Sequence, residues 1–357
     1  MISSRQPGWI GVDIGTHAVK LAQVERRNGS LRLVEALVVR RREAWPADTM
    51  ELSPTASSEE VSAGLSLGGG FRGRKAAVVL PMAVCDARGC TIADRGDIDP
   101  RELVVQELDA AYGNAAELRE FDFWPVHLPD DEEPPSENTI AFSVPRAWTC
   151  RVAEDLVDSR LVGQMLDALP LALARAVELG SPGASRSPVA AVDWGCGRAT
   201  LCAVFGGRPL FVRCLRNAGF EGVLQSLRAT LSVNQDEAQK LLTDHGLPHR
   251  EQETSDELPS VIEEVIAEPL NRFVEELNRT LAFVRQQRRS LAPKKLILFG
   301  GGASIRNVSQ YLVEKVGLPV EPWDLETKDA AGDLGRVLPM QLLGPAIALS
   351  SVAWSKV

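Results

Sequence analysis

The pattern Val-Asp-x-Gly occurs twice in the chain, as Val12, Asp13, Gly15 and as Val192, Asp193, Gly195, with an offset of 180 residues between the copies. Each copy continues into Leu-x-x-Val, formed by Leu21 and Val24 in the first and by Leu201 and Val204 in the second. A hairpin turn follows each, Asn28-Gly29 and Gly206-Gly207, before another apolar run. A repeated strand–turn–strand unit predicts two related half-domains. In each unit an Asp ends a strand and a Gly lies in the turn, where a backbone without Cβ can approach a phosphate and offer its N–H. Two such turns facing across a cleft would grip a nucleotide's phosphate tail and its Mg²⁺ from opposite sides.

A chain of 357 residues is large for a single core, so two lobes or several subdomains are expected. The net charge of −9 argues against duplex nucleic acid as a partner, because phosphate neutralisation needs a surplus of Lys and Arg. The local exception is the first hairpin, with Arg26, Arg27, Arg32, Arg40, Arg41 and Arg42. Such a group reads as a solvated sheet face, with contact to anionic lipid or an acidic partner left open. The cysteines Cys85, Cys90, Cys150, Cys196, Cys202 and Cys214 never form Cys-x-x-Cys, so they read as small core residues in a reducing compartment. Met1 to Trp9 has no signal-peptide pattern, and no run reaches the ~18 apolar residues of a membrane span. A cytoplasmic location is expected, with any membrane association made through a partner.

Residues 9–39 read as a three-stranded meander, and the Pro/Ser/Gly-rich stretch from Pro46 to Gly73 as a surface connection. Strands are expected at Ala76–Pro81, Arg88–Ala93, Phe121–Leu128 and Thr139–Val144, with a helix entered at Asp99-Pro100-Arg101-Glu102 and an acidic loop Asp130–Glu137. Together they suggest an inserted subdomain with its own sheet. Helical material from Arg146 to Leu179 and a linker at Gly180–Pro188 lead into the second meander. Helices then follow at Glu221–Leu231, Asp236–His245 and Leu258–Leu291, where Pro269 is expected to restart or kink the last of these. The strand Lys295–Phe299 runs into Gly300-Gly301-Gly302 and a helix to Val316, and a helix at Pro345–Trp354 closes the chain.

Gly11-Val12-Asp13-Ile14-Gly15-Thr16-His17-Ala18-Val19-Lys20 resembles the first phosphate loop of the actin-like ATPase superfamily. Val192-Asp193-Trp194-Gly195 resembles the second phosphate loop, and Leu298-Phe299-Gly300-Gly301-Gly302-Ala303 the adenosine loop. Within that superfamily the whole length is most similar to the PilM family of type IV pilus assembly proteins. The subdomain near 75–145 stands where FtsA and PilM carry an insertion. Pro170-Leu171-Ala172-Leu173-Ala174-Arg175-Ala176 and Glu276-Leu277-Asn278-Arg279-Thr280-Leu281 resemble two PilM helices. The resemblance implies an α/β, duplicated ribonuclease H-like ATPase fold with two lobes around a nucleotide cleft. Its implied parts are 1–74 (first lobe), 75–145 (inserted subdomain), 146–187 (first lobe, continued), 188–235 (second lobe), 236–292 (helical subdomain), 293–340 (second lobe) and 341–357 (closing helix returning to the first lobe).

The implied ligands are ATP and Mg²⁺. Asp13 and Asp193 would hold the metal through water, Gly11, Gly15, Thr16, His17 and Lys20 would serve the phosphates, and Gly195, Cys196 and Gly197 would line the second turn. Gly300, Gly301 and Gly302 would lie against the adenosine, and Lys240 stands near the family's adenine-side lysine. Trp194 is expected to pack into its sheet. Leu169 stands where PilM-like chains commonly carry Glu, and Leu242 where they carry Lys. Weak ATPase activity is therefore the most that is expected. The implied partners are the cytoplasmic N-terminal peptide of a PilN-like single-span inner-membrane protein and the pilus motor platform, with self-association open. FtsA-like division proteins, nucleotide-free GspL-like scaffolds and a small-molecule kinase are the alternatives. An FtsA-like protein would be expected to show an amphipathic tail and a GspL-like one a membrane span, and a kinase would need an aspartate base among polar substrate contacts.

Overall fold

The computed structural model describes residues 6–27, 30–46, 54–92, 99–126, 137–180, 187–215, 217–249, 257–325 and 339–355. The Asn28-Gly29 turn, most of the acidic loop Asp130–Glu137 and most of the Gly180–Pro188 linker lie outside them.

The first lobe opens with β1 (Gln6–Pro7), β2 (Ile10–Ile14), β3 (Ala18–Arg27) and β4 (Ser30–Arg40). It continues through α1 (Ser58–Leu67) and β5 (Lys75–Val79). The next elements are β6 (Asp86–Cys90), α2 (Pro100–Tyr112), β7 (Arg119–Pro125) and β8 (Thr139–Pro145). Then come α3 (Arg146–Asp158), β9 (Val162–Asp167) and α4 (Leu169–Gly180). The second lobe holds β10 (Val189–Trp194), β11 (Ala199–Phe205), β12 (Arg208–Leu215), α5 (Glu221–Leu231), α6 (Gln235–Asp244) and α7 (Leu258–Gln287). It ends with β13 (Lys295–Phe299), α8 (Val308–Val316) and β14 (Val320–Pro322), followed by α9 (Gly344–Ser351).

The two main sheets repeat one plan. In the first, β2 pairs antiparallel with β3 and parallel with β5. In the second, β10 pairs antiparallel with β11 and parallel with β13. Both β2 and β10 are buried on nearly every residue, as expected of central strands covered on two faces. Helix α9, buried on every residue, packs against α4 and against β2, β3 and β5. Gly11 serves that packing, because a Cβ there would run into the Ala346 carbonyl.

Four sequence expectations need correction. The strand near 76 pairs with β2 and β9, so it belongs to the first main sheet and the separate sheet, of order β6-β8-β7, begins at Asp86 rather than at 75. Its run of buried Ala76, Ala77, Val78 and Val79 is the signature of an interior parallel strand. The stretch read as a loop contains α1, whose Gly64 lies so close to Leu21 and Val39 that a side chain there would meet them. The stretch from Arg146 to Leu179 is split by β9, an edge strand with an exposed face. Helix α7 runs from Leu258 to Gln287 with Pro269 inside it, so the helix does not restart there.

At α2, Asp99 caps as expected, its Oδ1 accepting from the Arg101 N–H, with Pro100 in the first turn.

Candidate functional site

The antiparallel pairing of β2 with β3 sets Asp13 opposite Lys20, and the pairing of β10 with β11 sets Asp193 opposite Thr200. The two aspartates therefore end equivalent strands, each seven residues before the side chain it faces. Lys20 Nζ donates to Asp13 Oδ2 at 2.9 Å. Thr200 brings no charge to Asp193, and burial pushes the Asp193 carboxyl up to about 6, against the pull of Lys20 and with the neighbouring Asp13 adding to the rise. Lys20 is held above the ordinary lysine value, since the carboxylates of Asp13 and Asp193 outweigh the downward pull of burial.

Each phosphate-type turn is clamped from behind by the segment after its meander. The Gly15 carbonyl accepts from Arg41 Nε at 2.9 Å, the Thr16 carbonyl from the Trp45 N–H and the His17 carbonyl from the Arg41 N–H. Arg41 is itself fixed by Ser57 Oγ and lies over the Trp45 ring at 3.8 Å. In the second turn the Gly195 and Cys196 carbonyls accept from the N–H groups of Phe220 and Glu221 at the start of α5. Because C=O and the next N–H point in opposite directions across a planar trans peptide, these clamps turn the N–H groups of Thr16, His17, Ala18, Cys196 and Gly197 away from the clamping segments. Gly15 permits the tight first turn, since a Cβ there would lie 2.7 Å from the Ala18 carbonyl oxygen.

A solvent-open cleft, about 960 Å³ when its open mouth is counted, lies between the two turns. It brings together Asp13, Gly15, Thr16, His17, Lys20, Asp193, Gly195, Cys196, Gly197, Gly300 and Gly301 of the residues singled out in the sequence. Gly11, Lys240 and Gly302 do not line it. Lys240 is exposed on α6, and Gly302 is buried under the Trp194 ring, into which a Cβ would run. Trp194 stacks on Phe273 of α7 with centroids 3.8 Å apart and meets Phe220 edge-on, so it packs into the core between sheet and helix. Gly301 likewise lies under Phe220, where an added Cβ would stand 2.9 Å from the ring. Two of the three loop glycines thus make room for aromatic side chains of the protein itself. Gly300, at φ +81°, brings the backbone against Asp193, where a Cβ would lie 2.5 Å from Oδ1.

Leu169 lines the cleft, whereas Leu242 is buried in the core of the second lobe. Arg198, Thr200 and Phe220, which sequence reading gave no role, line it together with Arg40 of the basic hairpin and Gln239 of α6. For Thr200 a signal existed, because it stands seven residues after Asp193 as Lys20 does after Asp13. Contacts cross the cleft at its rim: His17 Nε2 lies 2.7 Å from Glu221 Oε2, and Arg40 Nη2 donates to Gln239 Oε1 at 2.7 Å while also pairing with Asp236.

This chain has a two-lobed, actin-like fold. It is similar over 98% of its length to a chain of the PilM–PilN type IV pilus biogenesis complex, 99% of which is covered, with a TM-score of 0.74 at 18% identity. It is also similar to the ethanolamine utilization protein EutJ from Carboxydothermus hydrogenoformans, with a TM-score of 0.54 at 12% identity over 97% of this chain and 89% of that one. No protein-family model matches the sequence, and no curated protein matches it significantly. Actin-like architecture explains why two equivalent strand ends from a duplicated unit converge on one cleft. Among the described residues, no helix is long and apolar enough to cross a membrane.

Proposed function

We propose that the chain is a PilM-like scaffold of type IV pilus or related secretion assembly that carries a Mg²⁺–nucleotide between its lobes. Its partner in this reading is the cytoplasmic N-terminal tail of a PilN-like single-span inner-membrane protein, which would hold it at the membrane beside the motor platform. The observation that carries the reading is the whole-length likeness to a chain of the PilM–PilN complex. A match over 98% of the chain necessarily takes in most of the inserted β6-β8-β7 sheet as well as the duplicated lobes.

The site supports the ligand most strongly on its phosphate side. Two carboxylates share one lysine there, and the raised pKa of Asp193 marks it as the one short of positive charge. A hydrated divalent cation suits that deficit, because hard cations take carboxylate oxygen directly or through water. The nucleotide phosphates would sit against the N–H groups of Thr16, His17, Cys196 and Gly197, with Lys20 as the positive side chain. On the nucleoside side the packing of Phe220 on Gly301 and of Trp194 on Gly302 narrows the contact available, so affinity rests on phosphate and metal. Leu169 offers no polar group to place an attacking water, so turnover is weak at most. The ligand then acts by biasing the angle between lobes, shifting the population that binds the partner.

A groove between the inserted sheet and the second lobe suits an extended apolar peptide. Val126, Ile140, Phe211 and Phe283 line it, with Glu137 and Arg288 among its polar residues. Phe283 is half exposed there without a polar role. Fluorescence anisotropy with a labelled PilN-type tail peptide, with and without Mg-ATP, tests the reading. Binding that weakens about tenfold in Phe283→Ser is expected, the typical loss for a central apolar anchor. Absence of binding in both conditions removes the partner assignment.

A further inference from the structure

Beside the phosphate turns the lobes meet through a second cluster. His17 Nε2, Cys196 Sγ and a carboxylate oxygen of Glu221 lie within 4.8 Å of one another. His17 comes from the first turn, Cys196 from the second and Glu221 from the first residue of α5, so the three converge across the cleft. Glu221 Oε2 is buried and lies 2.7 Å from His17 Nε2. A carboxylate oxygen has lone pairs beyond the one turned to an imidazole, so it can also take a cation.

We propose that His17, Cys196 and Glu221 form a transition-metal site of the zinc class that ties the two lobes together. The donor set is the first argument: imidazole, thiolate and carboxylate together select zinc-like ions over Mg²⁺, which prefers oxygen alone. Charge is the second. A divalent ion bound by one thiolate and one carboxylate leaves a neutral unit, which suits its half-buried place.

The surroundings are the third argument. Thr16 Oγ1 lies 3.1 Å from His17 Nδ1, so the hydroxyl can accept from Nδ1–H and leave the Nε2 lone pair to the metal. Glu221 Oε1 faces Arg228 at 3.8 Å, and the Glu221 backbone N–H donates to the Cys196 carbonyl, so two of the ligands are tied to each other through the main chain. Burial pushes the Cys196 thiol up to about 12, so the sulfur carries a proton when no cation is near. On binding, the S–H bond breaks, an S–metal bond forms and the proton leaves to solvent. Three protein ligands leave a fourth position for water. His17 and Cys196 both line the cleft, so ligand and solvent can reach the ion. The site is separate from the Asp13–Asp193 pair, and its test needs no nucleotide.

The experiment titrates metal-stripped full chain with Co²⁺ as a spectroscopic stand-in for zinc, followed by displacement with Zn²⁺. The wild type is expected to take up a single equivalent with a thiolate-to-cobalt charge-transfer band in the near ultraviolet and four-coordinate bands in the visible. Cys196→Ser loses the charge-transfer band, and Glu221→Gln binds about tenfold more weakly or worse, since even changes behind a ligand cost that much. Cys150→Ser, which alters an exposed thiol outside the cluster, keeps the wild-type spectrum. Circular dichroism of each metal-free variant verifies that it is folded. A wild type that binds without the charge-transfer band, or a band that survives in Cys196→Ser, overturns the site.

Discussion

The two turns of the cleft share a backbone and differ in their charge. At the first, Asp13 faces a lysine across the strand pair; at the second, Asp193 faces Thr200 in the same register. The first carboxylate is neutralised by the chain, and the second is left with a raised pKa in a buried setting. The two strand ends are equivalent in register, and in the proposed reading the residue opposite each, lysine or threonine, decides which carboxylate takes a cation from outside. The turns differ at the next residue as well. Ile14 is an ordinary buried aliphatic, whereas Trp194 builds an aromatic stack with Phe273 and takes the space over Gly302.

The largest effects should come from removing what is particular to each turn. Trp194→Ala is expected to cost about 3–5 kcal/mol in denaturant unfolding, the usual range for emptying a buried large aromatic, whereas Ile14→Val should cost only about 0.5–1.5 kcal/mol. Equal losses would mean that the stack on Phe273 contributes nothing special. Lys20→Met leaves buried Asp13 and half-buried Asp193 without their cation and should cost about 3–5 kcal/mol near neutral pH. That loss should shrink in acid as the carboxyls protonate, and a pH-independent loss would show that packing, not charge, is Lys20's contribution.

Asp193→Asn tests the other side of the comparison by its pH dependence. The folded carboxyl titrates near 6 and the unfolded one near the ordinary aspartate value of 3.8. A raised carboxylate pKa means that the folded state holds the proton more tightly. Its stabilisation is present below the unfolded value and is lost as pH rises from about 4 to 6, by roughly 3 kcal/mol in all. The metal-free Asn variant should therefore gain on the wild type across that window and stay ahead above it. A difference that is flat with pH would contradict the buried-charge assignment. The smallest effect belongs to Arg40→Ala, which removes the half-exposed pairing with Asp236 and the bond to Gln239. It should change stability by less than about 1 kcal/mol, because exposed ion pairs contribute little.

Much of the cleft was legible because its residues sit at fixed offsets on paired strands. Asp13 and Lys20, seven residues apart across a tight turn, had to face one another once β2 and β3 paired. Strands β10 and β13 and helix α5 were equally readable from their apolar runs and turn residues. Less readable were elements whose burial is decided from outside. Helix α1 hides in a Ser/Gly-rich stretch because Gly64 exists to let Leu21 and Val39 approach, and β9 has one exposed face and a glycine within it. The glycine run 300–302 left its packing neighbours open for a related reason. A glycine admits any close neighbour, and only the fold shows that at Gly301 and Gly302 the neighbours are Phe220 and Trp194. Arg40 and Gln239 belong to distant segments that meet only when the lobes come together.

In the proposed reading Asp193 awaits a cation that arrives with phosphate. Thermal unfolding with and without Mg-ATP, in the wild type and in Asp193→Asn, tests this most directly. The wild type should be stabilised by Mg-ATP, less by ATP with a chelator, and the Asn variant should lose the metal-dependent part. No shift in the wild type, or an equal metal-dependent shift in both proteins, would contradict it.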